Sequence, residues 1–182
     1  MNLWLRVLHL IIASFFRPKL DPVHDVSRLS FRVWPHDLDT SLHMNNGRYW
    51  TLMDLGRTDI MIRSDLWRTI ARNRWVPVVS AGKIRFRREL RLFQPFALET
   101  RIVTWAETWV VMEHRLISKS RDGSPVINAI ALVRAGIYDR RARSFVPVDR
   151  LFEAVGLRAE PPEPSPEVAA FLAAEEALKN AA

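Results

Sequence analysis

The stretch Asp37-Leu38-Asp39-Thr40-Ser41-Leu42-His43-Met44-Asn45-Asn46-Gly47-Arg48-Tyr49 separates two patterns of different period. Before it, Leu29, Phe31 and Val33 alternate with Arg28, Ser30 and Arg32, the period-two pattern of a half-buried strand over residues 26–34. Pro35 stops that strand. After it, Tyr49, Met53, Gly56 and Ile60 recur at the three-to-four spacing of one helix face, which predicts a helix from Asn46 through about Arg63. A glycine inside a helix weakens it, and Gly56 makes sense where the helix lies close against a sheet.

The junction is dense in polar groups: His36, Asp37, Asp39, His43, Asn45 and Asn46 fall within residues 36–46. A helix starting near Asn46 presents unpaired N–H groups with partial positive charge toward them. Fixed donors of that kind suit the oxygen of a polarised carbonyl. Asp39, one loop away, can attack such a carbonyl or take the proton of a water that attacks it. The same residues suit ordinary capping, because Asp and Asn are preferred at helix starts, and the residues alone leave the two readings level. A metal site built from His36, Asp37, Asp39 and His43 matches no standard ligand spacing, so no metal is expected.

Beyond the helix, residues 64–73 read as a shorter helix capped by Ser64. From Trp75 the period is two. Strands are expected over residues 76–88, 96–105, 110–118 and 126–138, with turns at Gln94-Pro95, Ala106-Glu107 and Arg121 to Pro125. One strand, one long helix and four successive strands make an α+β layout with a mostly antiparallel sheet. Trp105 and Trp109 flank a turn and read as packing groups. Asp149 is placed as the cap of a short helix to Val155. Residues 160–166 form a stiff proline-rich linker, after which Ser165 and Pro166 open a last helix through Glu175. Three segments result: an apolar N-terminal segment over residues 1–20, a central domain over 21–158, and linker plus helix over 159–182.

The apolar run from Leu3 to Phe16 is shorter than the about 20 residues that a spanning helix needs, and no signal-peptide cleavage pattern follows it. It reads as a helix packed on the domain, or as an interfacial helix lying on a membrane beside Arg17 and Lys19. Ile11, Ile12, Phe15 and Phe16 leave little polar face, which favours packing or a partner surface.

Composition excludes several classes. With 48% hydrophobic and 10% aromatic residues, the 182-residue chain can bury one substantial core and is not disordered. There is no cysteine, hence no disulfide, thiolate ligand or cysteine nucleophile. No G-x-S-x-G elbow, dinucleotide or Walker loop, or H-E-x-x-H occurs. The formal charge of +7, with 23 of 27 basic residues arginine, suits phosphates or anionic lipid. Nucleic-acid binding would rest on that charge alone, with no recognition motif, so no nucleic-acid partner is expected.

Asp37-x-Asp39 followed by His43-Met44-Asn45-Asn46 and Tyr49 resembles the start of the hot-dog thioesterases. These include the 4-hydroxybenzoyl-CoA type and the plant acyl-ACP enzymes, whose motif has the same D-x-D and H-V-N-N-x-x-Y form. The chain is similar in particular to the thioesterase superfamily member 6 group, through Leu92 to Phe96, Thr100 to Trp105, Arg121 to Gly123 and Glu160 to Glu163. The likeness covers roughly residues 26–175 and shares the Leu42 that stands where many hot-dog relatives have glycine.

The resemblance implies a hot-dog fold, a curved sheet of five to six strands wrapped around one long helix. It implies hydrolysis of an acyl-CoA, or less readily acyl-ACP, thioester without a cofactor. Asp39 would be general base or nucleophile, the N–H at Asn46 the oxyanion donor, and His43 an orienting or donating group. Asn45 would cap the helix or touch substrate. Arg85, Arg87 and Arg88, with Lys83 and Arg91, would hold the CoA phosphates or form a solvated strand face. Asp54 is the rival carboxylate, since other hot-dog branches carry their acid on this helix, although Arg57 and Thr58 one turn on suit an ion pair or hydrogen bond. A homodimer or dimer of dimers is expected, with cytoplasmic localisation and an option of membrane association through residues 3–16. The alternative is a non-catalytic hot-dog module binding acyl groups or lipid at a membrane.

Overall fold

The computed structural model describes residues 3–181, so the ends of the two terminal segments, residues 1, 2 and 182, lie outside the described residues. In chain order the elements are α1 (Leu3–Phe16), β1 (Ser27–Arg32), a single 3-10 turn (Pro35–Asp37), α2 (Asn46–Arg63), α3 (Leu66–Asn73), β2 (Val76–Phe86), β3 (Pro95–Trp105), β4 (Val110–Lys119), β5 (Pro125–Asp139), β6 (Ser144–Phe145), α4 (Val148–Glu153) and α5 (Pro166–Lys179). The strands form one antiparallel sheet in the order β1-β3-β4-β5-β2, with the two-residue β6 added to the end of β5. The sheet curls around α2, giving the expected α+β hot-dog architecture.

The alternation in β3, β4 and β5 produces two opposed faces. Leu98, Leu116, Ala129 and Ala131 face α2 and pack with its Tyr49, Leu52, Met53 and Leu55. Val111 and Leu132 face the other way and are covered by Val168 and Phe171 of α5. The side chain of Tyr49 is buried and meets Phe86 of β2 edge to face, which places it in the core, as expected. Trp105 packs edge to face on Phe152. Helix and sheet approach closely at Gly56, where an added Cβ would sit 2.2 Å from Thr100 Oγ1 and 3.1 Å from Thr100 Cβ. The glycine is the price of sinking α2 to this depth.

Local signals placed most elements and misplaced some ends. Ser64 does not cap α3. It is the C-cap of α2, its N–H bonded to the Ile60 carbonyl, and Asp65 with φ of 63° precedes α3. Asp149 lies inside the first turn of α4 behind Pro147. The strand expected over residues 76–88 ends at Phe86, because the next two N–H groups, of Arg87 and Arg88, both turn to the Asn128 carbonyl. The last helix runs on to Lys179.

Helix α1 lies along α2 with Arg6 and Ser14 turned inward. Arg6 forms a two-pronged pair with Asp37, at 3.1 and 2.5 Å, and Ser14 donates to Asp59 at 3.1 Å. Ile11, Ile12, Phe15 and Phe16, the residues that favoured packing, are exposed instead. Buried charge at two fixed points outweighs apolar burial in choosing the face, because an unpaired interior carboxylate costs about 3–5 kcal/mol.

Gly56→Ala should therefore destabilise the protein by about 2–3 kcal/mol, as overpacking against a rigid strand does. Urea unfolding monitored by tryptophan fluorescence reads this, and a change under about 0.5 kcal/mol, the size of an ordinary surface substitution, would show that α2 can shift away from β3.

Candidate functional site

The junction quoted at the outset forms a small hairpin. Leu38 bridges Met44, the Asp39 N–H donates to the His43 carbonyl at 2.9 Å, and the Asn45 N–H donates to the Asp37 carbonyl at 2.8 Å. Asp37 itself is buried, held by Arg6 and by the Trp34 N–H at 3.0 Å, so its carboxylate serves the fold. Asp39 is partly open to solvent. Its Oδ1 accepts the N–H groups of Ser41 at 2.9 Å and of His43 at 3.4 Å. Between them Leu42 turns the loop with φ of 61°, the left-handed conformation that glycine adopts without strain. Leucine thus occupies the glycine conformation, with its side chain projecting into solvent.

The hairpin delivers the chain to α2. Asn45 is the N-cap and its Oδ1 accepts the Gly47 N–H at 2.8 Å. The Asn46 N–H has no hydrogen-bond acceptor among the described residues. A bare N–H at the positive end of a helix, next to a hairpin that carries an accessible carboxylate, is an arrangement able to hold a carbonyl oxygen while a nucleophile approaches.

A second segment borders this loop. Beyond β2, the Met44 N–H donates to the Leu90 carbonyl at 2.9 Å and His43 bridges Arg91. The His43 imidazole turns to Glu89, with 2.8 Å between Nε2 and Oε2. Arg91 pairs with the same glutamate and, by its hydrogen bond, holds that carboxyl below the ordinary range. The run that carries Arg85, Arg87 and Arg88 is thereby tied to the Asp39 hairpin, and all three arginines are exposed.

Asp54 lies two turns along α2 and is exposed, in a short ion pair with Arg57. Behind it runs a chain that sequence reasoning did not find: Arg57 Nη1 lies 3.2 Å from His114 Nε2, and His114 Nδ1 lies 2.9 Å from Thr100 Oγ1. Burial, with Arg57 second, pushes the His114 imidazole down to about 3. Arginine can only donate, so Nε2 accepts and Nδ1 carries the proton toward Thr100. The alternation of β4 marks position 114 as inward, but no local signal names its partners. Asp54, Arg57 and Thr58 also line a cavity of about 380 Å³ between the later half of α2, α3, α4 and the sheet, walled by Met61, Ile70, Met112 and Ile137 among others. Neither Asp39 nor Asn46 borders that cavity. No cluster of side chains suited to a metal occurs among the described residues.

An antiparallel sheet curled round one helix, entered through a polar hairpin, defines a hot-dog domain of the thioesterase type. The chain belongs to the Thioesterase-like superfamily, whose family model matches residues 33–172. Protein THEM6 of Danio rerio is 36% identical over 134 residues, a match covering 74% of this chain and 65% of the relative. Protein THEM6 of Xenopus laevis is 36% identical over 90 residues, covering 50% of this chain and 44% of the relative. The chain thus spans about half to two thirds of the length of these relatives. Among solved structures, 4-hydroxybenzoyl CoA thioesterase from Pseudomonas sp. strain CBS-3 superposes with a TM-score of 0.63 at 16% identity, over 71% of this chain and 98% of that one. A 1,4-dihydroxy-2-naphthoyl-CoA thioesterase from Synechocystis gives 0.61 at 9% identity, over 72% and 95%. At such identities these two likenesses speak for the fold.

The buried His114 carries a pH signature. Its folded value of about 3 lies below the unfolded 6.5, so the unfolded chain binds the extra proton between those limits. Its contribution is complete above pH 6.5 and is lost as pH falls toward 3. Stability should fall through that window with a slope approaching about 1.4 kcal/mol per pH unit from this group. His114→Gln should flatten the slope in urea titrations at pH steps; an unchanged slope would show that His114 takes up its proton in the folded protein.

Proposed function

We propose that this chain hydrolyses acyl-CoA thioesters, with Asp39 as the catalytic carboxylate. The observation that carries the reading is the Asp39 hairpin leading directly to the unengaged Asn46 N–H at the start of α2. Family membership supports it, as does the likeness, at a TM-score of 0.61, to a 4-hydroxybenzoyl CoA thioesterase mutant complexed with 4-hydroxybenzoyl CoA.

In this scheme Asp39 takes a proton from water, and the hydroxide adds to the thioester carbon. The carbonyl oxygen becomes an oxyanion that the Asn46 N–H stabilises. Collapse expels the CoA thiolate, a good leaving group, and the proton on Asp39 returns to it, leaving acid and CoA. Direct attack by Asp39 through an acyl anhydride, opened afterwards by water, uses the same geometry. Arg85, Arg87 and Arg88 lie on the segment bound to the hairpin and would meet the CoA phosphates, which arginine recognises by paired donors. Asn45 holds the helix start, and His43 with Glu89 braces the hairpin from the other side.

A second assignment has its own support: Asp54, unlike Asp39, opens on the apolar cavity, where an acyl chain would lie. Turnover across a panel of acyl-CoAs separates the two. Asp39→Asn should lower kcat about 10²–10⁴-fold, while Asp54→Asn should have much the smaller effect. The reverse ranking moves the carboxylate to Asp54, and a wild type inactive at every chain length leaves the non-catalytic acyl-binding module.

The active assembly is a homodimer or dimer of dimers. β2 is an edge strand, and Val79, Gly82 and Phe86 along it are exposed, a strand that pairing with a second copy would cover. Sedimentation velocity should give the mass of two 21.1 kDa chains or a multiple of two, and a monomer at micromolar concentration would overturn this.

A further inference from the structure

Helix α1 is amphipathic in the reverse sense for a helix on a protein surface. Arg6, Leu10 and Ser14, spaced by four, face inward and are buried. Trp4, Leu5, Leu8, Ile11, Ile12, Phe15 and Phe16 follow the three-and-four spacing of the opposite face, and all are exposed, Trp4 at 78% and Phe16 at 86%. Water gains nothing from such a ridge, and a contiguous apolar patch of this kind marks an interaction surface. The ridge is fastened at both ends of the helix, by Arg6 to Asp37 and by Ser14 and Arg17 to Asp59, so it cannot roll inward without stripping partners from two buried carboxylates.

The charge around the ridge identifies what covers it. Three aspartates each serve two cations: Asp37 takes Arg6 and Arg48, Asp59 takes Arg17 and Arg63, and Asp65 takes Lys19 and Arg68. Each group keeps one positive charge in excess. An open groove between α1 and β1 adds His9, Arg32, which donates to the Phe93 carbonyl at 2.7 Å, and Arg28, which pairs with Glu99 at 3.3 Å. Trp34 lines the same groove, and Trp67 touches Phe15 edge to face. Tryptophan beside apolar side chains, rimmed by cations, is the composition of a surface seated at the headgroup level. A second copy seated on the same face would set one cationic rim against another. The helix is also too short to cross: 14 residues reach about 21 Å against a hydrocarbon core of about 30 Å.

We propose that the outer face of α1 docks the protein flat on a bilayer containing anionic phospholipid, its apolar ridge among the acyl chains and the arginines of the α1–β1 groove against lipid phosphates. The inference stands on the helix and its rim and does not depend on the thioesterase reading.

Vesicle sedimentation tests it, using the full chain with phosphatidylcholine vesicles and with vesicles that also contain phosphatidylglycerol. The wild type should pellet with the anionic vesicles, less in high salt. Leu8→Asp with Ile12→Asp should lower partitioning at least about tenfold, with unchanged thermal unfolding because both positions are exposed. Arg28→Ser with Arg32→Ser should weaken binding to anionic vesicles about fivefold per cation and leave the weak neutral-lipid binding alone. Bromine-labelled lipid should quench tryptophan emission, and Trp4→Phe should remove part of that quenching. A wild type that stays in the supernatant with both vesicles overturns the proposal. So does undiminished binding by the doubly acidic variant, or a self-associated wild type that this variant dissociates without any lipid binding.

Discussion

Asp59 is wholly buried in the second half of α2, and its carboxylate accepts from Ser14 at 3.1 Å, Arg17 at 3.0 Å, Ser27 at 2.7 Å and Arg63 at 3.1 Å. A carboxylate in that position is tolerable only with such partners, because the interior offers no water to replace them. The donors come from α1, the segment just after it, β1 and α2 itself. Satisfying one charge therefore fixes four parts of the chain at once. The depth of α2, set at Gly56 by the contact with Thr100, brings Asp59 into that environment.

The same logic operates at the other end of α2. Asp37 is the buried half of the D-x-D pair, and Arg6 from α1 neutralises it. Because the Asp37 carbonyl receives the Asn45 N–H, the ion pair braces both legs of the hairpin that carries Asp39. The N-terminal helix is thus wired to the candidate site, although it lies outside the segment matched to the family. Its outward apolar ridge accompanies its inward polar one: Arg6 and Ser14 are turned to the two buried carboxylates, which leaves the opposite face to Trp4, Leu5, Leu8, Ile11, Ile12, Phe15 and Phe16.

The site and the cavity occupy different stretches of α2. The Asp39 hairpin meets the first turn, whereas the cavity opens from Asp54 onward, and Asn46 to Arg57 spans about 16 Å along a helix. Between core and cavity runs the Thr100–His114–Arg57–Asp54 chain, with a neutral imidazole that holds Arg57 at the cavity mouth. In a single chain the carboxylate of the hairpin and the apolar cavity remain apart, and the exposed edge of β2 is where a second copy would extend the sheet.

Period and punctuation made the architecture readable from residues alone. Alternation located β1 to β5, the three-to-four spacing located α2, and Pro35, Asn45 and Pro166 marked boundaries, because each rule depends on neighbours within a few positions. The D-x-D…H-x-N-N pattern pointed by resemblance to the loop between β1 and α2. The burial and partners of each residue inside that loop came only with the fold. Asp37 and Asp39 are chemically alike and two residues apart, and it takes Arg6, 31 positions upstream, to make one buried and leave the other available. Asp59, His114 and the direction of α1 were likewise invisible to local pattern, since long-range pairing decides which charges are buried, and burial decides what each charged group can do.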